Sequence, residues 1–253
     1  MCLRSRRTPT TCTNLAFFAM TITSNLSAIR DHIVRVAQRA GRDPEDVALM
    51  AVTKTFPAAT IIEAYEAGQH LFGENRVQEF AEKVGALSGL PDARFHMIGH
   101  LQSNKASKAA EMFHAVDSLD SVKLAERLNS SAEKLNKTLD VIIEINVGGE
   151  EAKSGIAPDS PELVSILSAA PQWQNLYIRG LMTVPPFTDD PEGARPYFRQ
   201  LRELRDRLAA RNLPSVSFNV LSMGMSHDFE VAIEEGSTCV RLGTAIFGTR
   251  AKL

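Results

Sequence analysis

Ala51-Val52-Thr53-Lys54-Thr55-Phe56-Pro57 ends the apolar run that begins at Val47, and it ends it in a lysine. A run this short, bounded by Asp46 and Pro57, reads as a strand buried on both faces of a parallel sheet. Lys54 then stands at the carboxyl end of that strand, where α/β folds place their chemistry. Partial burial disfavours an ammonium and lowers the lysine pKa from about 10.4, which leaves a neutral amine able to attack an aldehyde. The alternative is a lysine whose stem lies along apolar surface and whose head pairs with a carboxylate. Position alone leaves both readings open.

Outward from this run, short apolar stretches alternate with amphipathic ones. Before it, apolar residues recur at helical spacing over 24–40 (Leu26, Ile29, Ile33, Val34, Val36, Ala37), with Gly41 as the stop. The patterning predicts strands over 47–54, 70–74, 94–99, 115–119, 139–147, 177–184, 217–222 and 239–242. Between them it predicts helices over 58–67, 77–87, 104–112, 122–135, 161–169, 191–211 and 228–235. Strands and helices alternating eight times after a leading helix predict a (β/α)8 TIM barrel. An open doubly wound sheet usually has fewer strands and a Gly-rich first turn, and none follows Lys54.

The 253 residues, 44% hydrophobic and 23% charged, suit one large α/β domain. No apolar stretch approaches the ~20 residues that cross a bilayer, so no membrane partner is expected. A net charge of -2 carries no electrostatic footprint for nucleic acid. Cys2, Cys12 and Cys239 have neither metal-ligand spacing nor a disulfide framework, which suits a reducing, cytoplasmic compartment. Residues 1–19 stand apart, with Arg4, Arg6, Arg7 and no acidic residue before Asp31. They read as a disordered tail, an organellar targeting segment or a start placed ahead of Met20, with the barrel domain spanning 20–253. The charged 195–211 helix looks solvated, and a monomer is expected.

In a barrel the strand ends converge on one face. Those ends carry Lys54, then Gly73-Glu74-Asn75-Arg76, then His96 to Gln102 with His100 among them, then Gly180-Leu181-Met182-Thr183. The last two are Ser222-Met223-Gly224-Met225-Ser226 and Arg241-Leu242-Gly243-Thr244. Barrels commonly bind phosphate after strands seven and eight, because small residues let backbone N–H groups reach the anion and hydroxyls add donors. Ser222 with Gly224, and Gly243 with Thr244, fit that role, although small residues also serve simply to make turns. An aldehyde-seeking lysine opposite a phosphate cradle implies a ligand with both groups, and pyridoxal phosphate (PLP) is one. Arg241 would then meet the ring nitrogen, which a guanidinium holds unprotonated, leaving a weak electron sink. The competing reading of Arg241 is an ion pair across the barrel to Glu144 or Glu74.

These segments together resemble the pyridoxal phosphate homeostasis protein family. The resemblance runs from Leu26 to Arg250 and rests on six separated motifs: Ala51 to Lys54, Phe72 to Arg76, Phe95 to Lys105, Gly180 to Thr183, Ser222 to Ser226 and Val240 to Gly243. It implies a fold type III PLP barrel like the N-terminal domain of alanine racemase. By this resemblance Lys54 forms the Schiff base, Ser222, Gly243 and Thr244 hold the phosphate, and Arg241 faces the pyridine nitrogen. Asn75 lies close to the ring, and Met182 and Met223 pack around it. His100 is expected to fix a loop rather than touch the cofactor.

The family role is intracellular PLP homeostasis, and delivery partners such as PLP-dependent apoenzymes leave no motif. A weak amino-acid racemase is the first alternative, and a class I aldolase-like enzyme using Lys54 is the second. Racemisation needs two bases on opposite faces of the α-carbon. In alanine racemase the second is a tyrosine from a further domain, and here Tyr65, Tyr177 and Tyr197 fall on a helix, a strand start and a helix. The chain ends soon after its eighth strand, so a carrier rather than an enzyme is expected.

Overall fold

Eight runs of extended backbone lie side by side in parallel in the computed structural model, which describes residues 21–150 and 153–248. The strands are β1 (Ala48–Val52), β2 (Leu71–Glu74), β3 (Arg94–Met97), β4 (Ala115–Leu119), β5 (Leu139–Glu144), β6 (Leu176–Met182), β7 (Val216–Ser222) and β8 (Cys239–Leu242). Each pairs with the next, and β8 returns to β1 from Ala48↔Cys239 to Ala51↔Leu242, so the barrel closes. Closure leaves no unpaired edge. The expected segment 1–19, and with it the division at residue 20, lies outside the described residues.

The helices are α1 (Ile22–Arg39), α2 (Ala58–Glu66), α3 (Val77–Lys83), α4 (Ala106–Met112), α5 (Val122–Lys134), α6 (Pro161–Ala169), α7 (Arg195–Ala209), α8 (Phe229–Glu234) and α9 (Thr244–Phe247). Each buries one stripe. In α1 this is Leu26, Ile29, Ile33, Val36 and Ala37, recurring every three or four residues. The Thr21 hydroxyl caps it by accepting from the Ser24 amide at 3.1 Å. Among the described residues no helix is long and apolar enough to cross a membrane.

Several strands are shorter than their apolar runs, because the last residues leave the ladder to build the mouth. Lys54 is not in β1. Thr53 still donates its amide to Gly73 at 3.0 Å, and Thr55 then turns the chain with φ +70°. The 139–147 run stops pairing as a strand at Glu144, after which Ile145 bridges Ile156. The 191–211 helix divides into a 3-10 turn (Pro191–Ala194) and α7.

That helix is exposed on its outer face and dry beneath. Phe198, Leu201, Leu204 and Leu208 are buried against the barrel. On its flank Arg195, Arg199 and Arg202 converge on the nearly buried Glu235, at 3.2, 2.9 and 2.8 Å. The high charge density of the sequence hid a stripe that only the helical period reveals.

The two-residue period of β1 and β8 turns one set of side chains into the barrel, and height along the strand divides that set between its two ends. Ala48, Met50 and Cys239 line a cavity at the amino-terminal mouth, whereas Val52, Lys54, Arg241 and Gly243 line another at the carboxyl mouth. Burial pushes the Cys239 thiol up to about 12, so it acts as a small apolar filler.

Candidate functional site

The carboxyl-end cavity holds about 470 Å³. It brings together five of the residues singled out by sequence: Lys54 after β1, Asn75 after β2, Arg241 in β8, and Gly243 and Thr244 at the start of α9. Three of the five lie in the connections that follow strands, and parallel pairing fixes where each connection begins.

Asn75 is held by a close approach of two backbones. A Cβ on Gly99 would stand 2.4 Å from the Asn75 carbonyl oxygen and 2.8 Å from its Cα, so only glycine lets the end of β3 pass. The Asn75 side-chain Oδ1 is buried and has no hydrogen-bond partner among the described residues. A buried amide oxygen left open in a cavity wall is costly unless a ligand satisfies it.

Arg241 is 4% exposed. Its Nη1 donates to the Ser222 hydroxyl at 2.7 Å and its Nη2 to the Thr183 carbonyl at 2.7 Å, which fixes the plane of the guanidinium. Burial draws its pKa down, and the carboxylates of Asp117, Glu144 and Asp228 oppose that. The ion pair to Glu74 is corrected: Glu74 lies 2.8 Å from Lys83 Nζ and accepts the Thr53 hydroxyl at 2.6 Å.

Ser222, Met182 and Met223 are fully buried and do not line the cavity. The Ser222 hydroxyl accepts from Arg241, and both methionines are packed away from solvent. Gly224 has φ +97°, and a Cβ there would stand 2.5 Å from that of Ala232, so its size serves the packing of α8. His100 stands outside the cavity with Nδ1 3.1 Å from Asp120 Oδ2.

Sequence reasoning missed part of the rim. Phe187 is 76% exposed, and its ring centroid lies 5.4 Å from that of His227. His227 is steadied by its Nε2, 3.1 Å from the Thr188 carbonyl. Phe187 and His227 come from the loops after β6 and β7, where no periodicity marks them; they join Val184 and Ser226, which close the predicted strand 177–184 and the Ser222 to Ser226 motif. A large exposed aromatic between Pro186 and Thr188 was the one available signal.

Glu144 ends β5 with its Oε2 buried and unpartnered among the described residues. Burial pushes its carboxyl from an ordinary 4.5 up to about 7, with Asp120 adding to the rise and Arg241 opposing it. The folded state therefore binds the extra proton between those values, and the stability it contributes is lost as pH rises through that window. Glu144→Gln is expected to raise stability by about 2 to 3 kcal/mol at about pH 8 and to change it little at about pH 4. Urea denaturation at the two pH values checks this; equal shifts at both would place the carboxyl in water.

A family profile described as "Alanine racemase, N-terminal domain" matches residues 24–251, and with the closed parallel barrel it places the chain in that class of barrels. The pyridoxal phosphate homeostasis protein of Aquifex aeolicus (strain VF5) is 45% identical over 231 residues, 91% of this chain and 99% of that one. The chain belongs to the pyridoxal phosphate homeostasis protein family. PipY of Synechococcus elongatus PCC7942, solved with PLP bound, is similar with a TM-score of 0.78 at 38% identity, over 90% of this chain and 100% of that one. Alanine racemase of Clostridium difficile 630 is similar in fold alone, with a TM-score of 0.67 at 14% identity over 88% of this chain and 57% of that one.

Proposed function

We propose that this protein holds pyridoxal 5'-phosphate in the carboxyl-end cavity, through a reversible Schiff base on Lys54, and serves intracellular homeostasis of that cofactor. The observation that carries the reading is that Lys54, Arg241, Gly243 and Thr244 line one cavity. The open Oδ1 of Asn75 supports it, and so do the backbone amides of Gly243 and Thr244, which lie where the chain leaves β8 beside the cavity. Those two amides and the Thr244 hydroxyl suit a phosphate, and Arg241 suits an unprotonated ring nitrogen. Bound there, PLP supplies a reactive aldehyde.

Lys54 would hold the aldehyde end of the cofactor through a reversible link made with loss of water. Exchange with another amine reverses the link without a further catalyst, which suits a cytoplasmic single-barrel carrier releasing PLP to apoenzymes. The carrier reading is favoured over racemisation because none of Tyr65, Tyr177 and Tyr197 lines the cavity. Tyr65 packs edge-on to His70 at 5.0 Å, and Tyr177 lies under the Arg179 guanidinium.

Borohydride reduction of the PLP-loaded protein followed by peptide mapping tests the assignment: a pyridoxyl group on Lys54 is expected, and labelling confined to another lysine would refute it. Arg241→Gln keeps hydrogen-bonding capacity and removes the charge. It is expected to shift the visible band of the bound cofactor and to weaken binding about tenfold; an unchanged spectrum would mean that the guanidinium does not meet the ring.

A further inference from the structure

Behind the cavity wall lies a buried ionic cluster that the proposed chemistry does not use. Lys83, at the end of α3, is 8% exposed. Its Nζ lies 3.2 Å from the Thr53 carbonyl, 3.1 Å from the Phe56 carbonyl, 2.8 Å from Glu74 Oε1 and 3.4 Å from Glu79 Oε1. The same Glu74 oxygen accepts the Thr53 hydroxyl at 2.6 Å, and the same Glu79 oxygen accepts the Thr55 amide. Lys83, Glu74 and Glu79 do not line the cavity, so a ligand there is out of their reach.

The acceptors and donors that this cluster engages are the residues flanking Lys54 on both sides. The loop it grips is one that would not hold its shape alone. Thr55 sits at φ +70°, a left-handed conformation that a β-branched residue adopts only when its surroundings impose it. A buried ion pair adds little to stability compared with apolar residues of the same volume, so stability alone is a weak reason for this one. Beyond Glu79, its contacts are with the β1–α2 connection: the Thr53 and Phe56 carbonyls and the Thr53 hydroxyl.

We propose that Lys83, neutralised by Glu74, is a positioning residue: it clamps the carbonyls of Thr53 and Phe56 so that the Lys54 amine is aimed into the cavity. This rests on the reading of Lys54 as the point of attachment. Removing the clamp would leave the cavity intact and the amine poorly directed, which slows bond formation more than it weakens the fold.

The test uses the full chain and PLP itself. Lys83→Met alone leaves Glu74 as an uncompensated buried charge, so Lys83→Met/Glu74→Gln is the decisive variant, removing both charges while keeping volume. It is expected to melt within a few degrees of the parent protein, yet to form the visible band about tenfold or more slowly. Its Thr55 and Phe56 amides are expected to exchange with deuterium about tenfold faster, with those of β4 to β6 unchanged. Parental rates of band formation and of Thr55 exchange in a folded double variant would overturn the proposal. If that variant does not fold, Glu79→Ala, which removes the acceptor of the Thr55 amide, must speed exchange at Thr55 or the clamp is refuted. Failure of the parent protein itself to be labelled at Lys54 would overturn the attachment reading, whereas labelling in the parent that slows only in the variants supports both.

Discussion

Lys54→Ala will leave the barrel folded and abolish covalent retention of PLP. The lysine lies past the last residue of β1, half-buried at the cavity wall, and its neighbours are fixed through their own backbones: Thr53 to Gly73 and Lys83, Thr55 to Glu79. Shortening the side chain therefore removes no ladder bond, and the expected loss of stability is under about 1 kcal/mol. Noncovalent binding through the cradle at Gly243 and Thr244 persists, so equilibrium dialysis should still detect PLP while the visible band and borohydride labelling vanish. A variant that keeps the band would remove Lys54 from the chemistry altogether.

Gly180→Ala is expected to prevent folding. Gly180 pairs with Val220 where β6 shifts register against both neighbours. A Cβ at this position would stand 1.8 Å from the Val220 carbonyl oxygen and 2.6 Å from its carbonyl carbon. Both are backbone atoms of the adjoining strand, so relief requires β6 and β7 to part, with a cost above about 4 kcal/mol. Gly85 is the control: nothing lies within 4 Å of a Cβ built there, and Gly85→Ala should be neutral or slightly stabilising. Near-ultraviolet circular dichroism and urea denaturation separate the two; a native Gly180→Ala protein would mean that the bulge at this strand is not required.

The two glycines show where a sequence stops being informative. Both are single letters in otherwise apolar or helical surroundings, and their difference lies in what stands opposite. The same holds for the site. Lys54, Asn75, Arg241, Gly243 and Thr244 were legible because each ends or follows an apolar run, and parallel strands gather such ends at one mouth. Ser222 was legible as a strand end but not as the partner of Arg241. Nor could the pattern say that Glu74 would turn to Lys83 instead of Arg241, since two acids and two bases admit more than one pairing.

Alternation of short apolar runs with amphipathic stretches determined by itself that this chain makes eight parallel strands with helices between them, because a two-residue or 3.6-residue period decides which face is dry. The tertiary structure alone decided that the runs would stop short of their apolar ends, that three arginines of α7 would meet on Glu235, and that Lys83 would grip the loop carrying Lys54. Periodicity assigns a residue to a face, but which atoms meet across that face depends on register and on backbone approach, and those exist only once the barrel has closed.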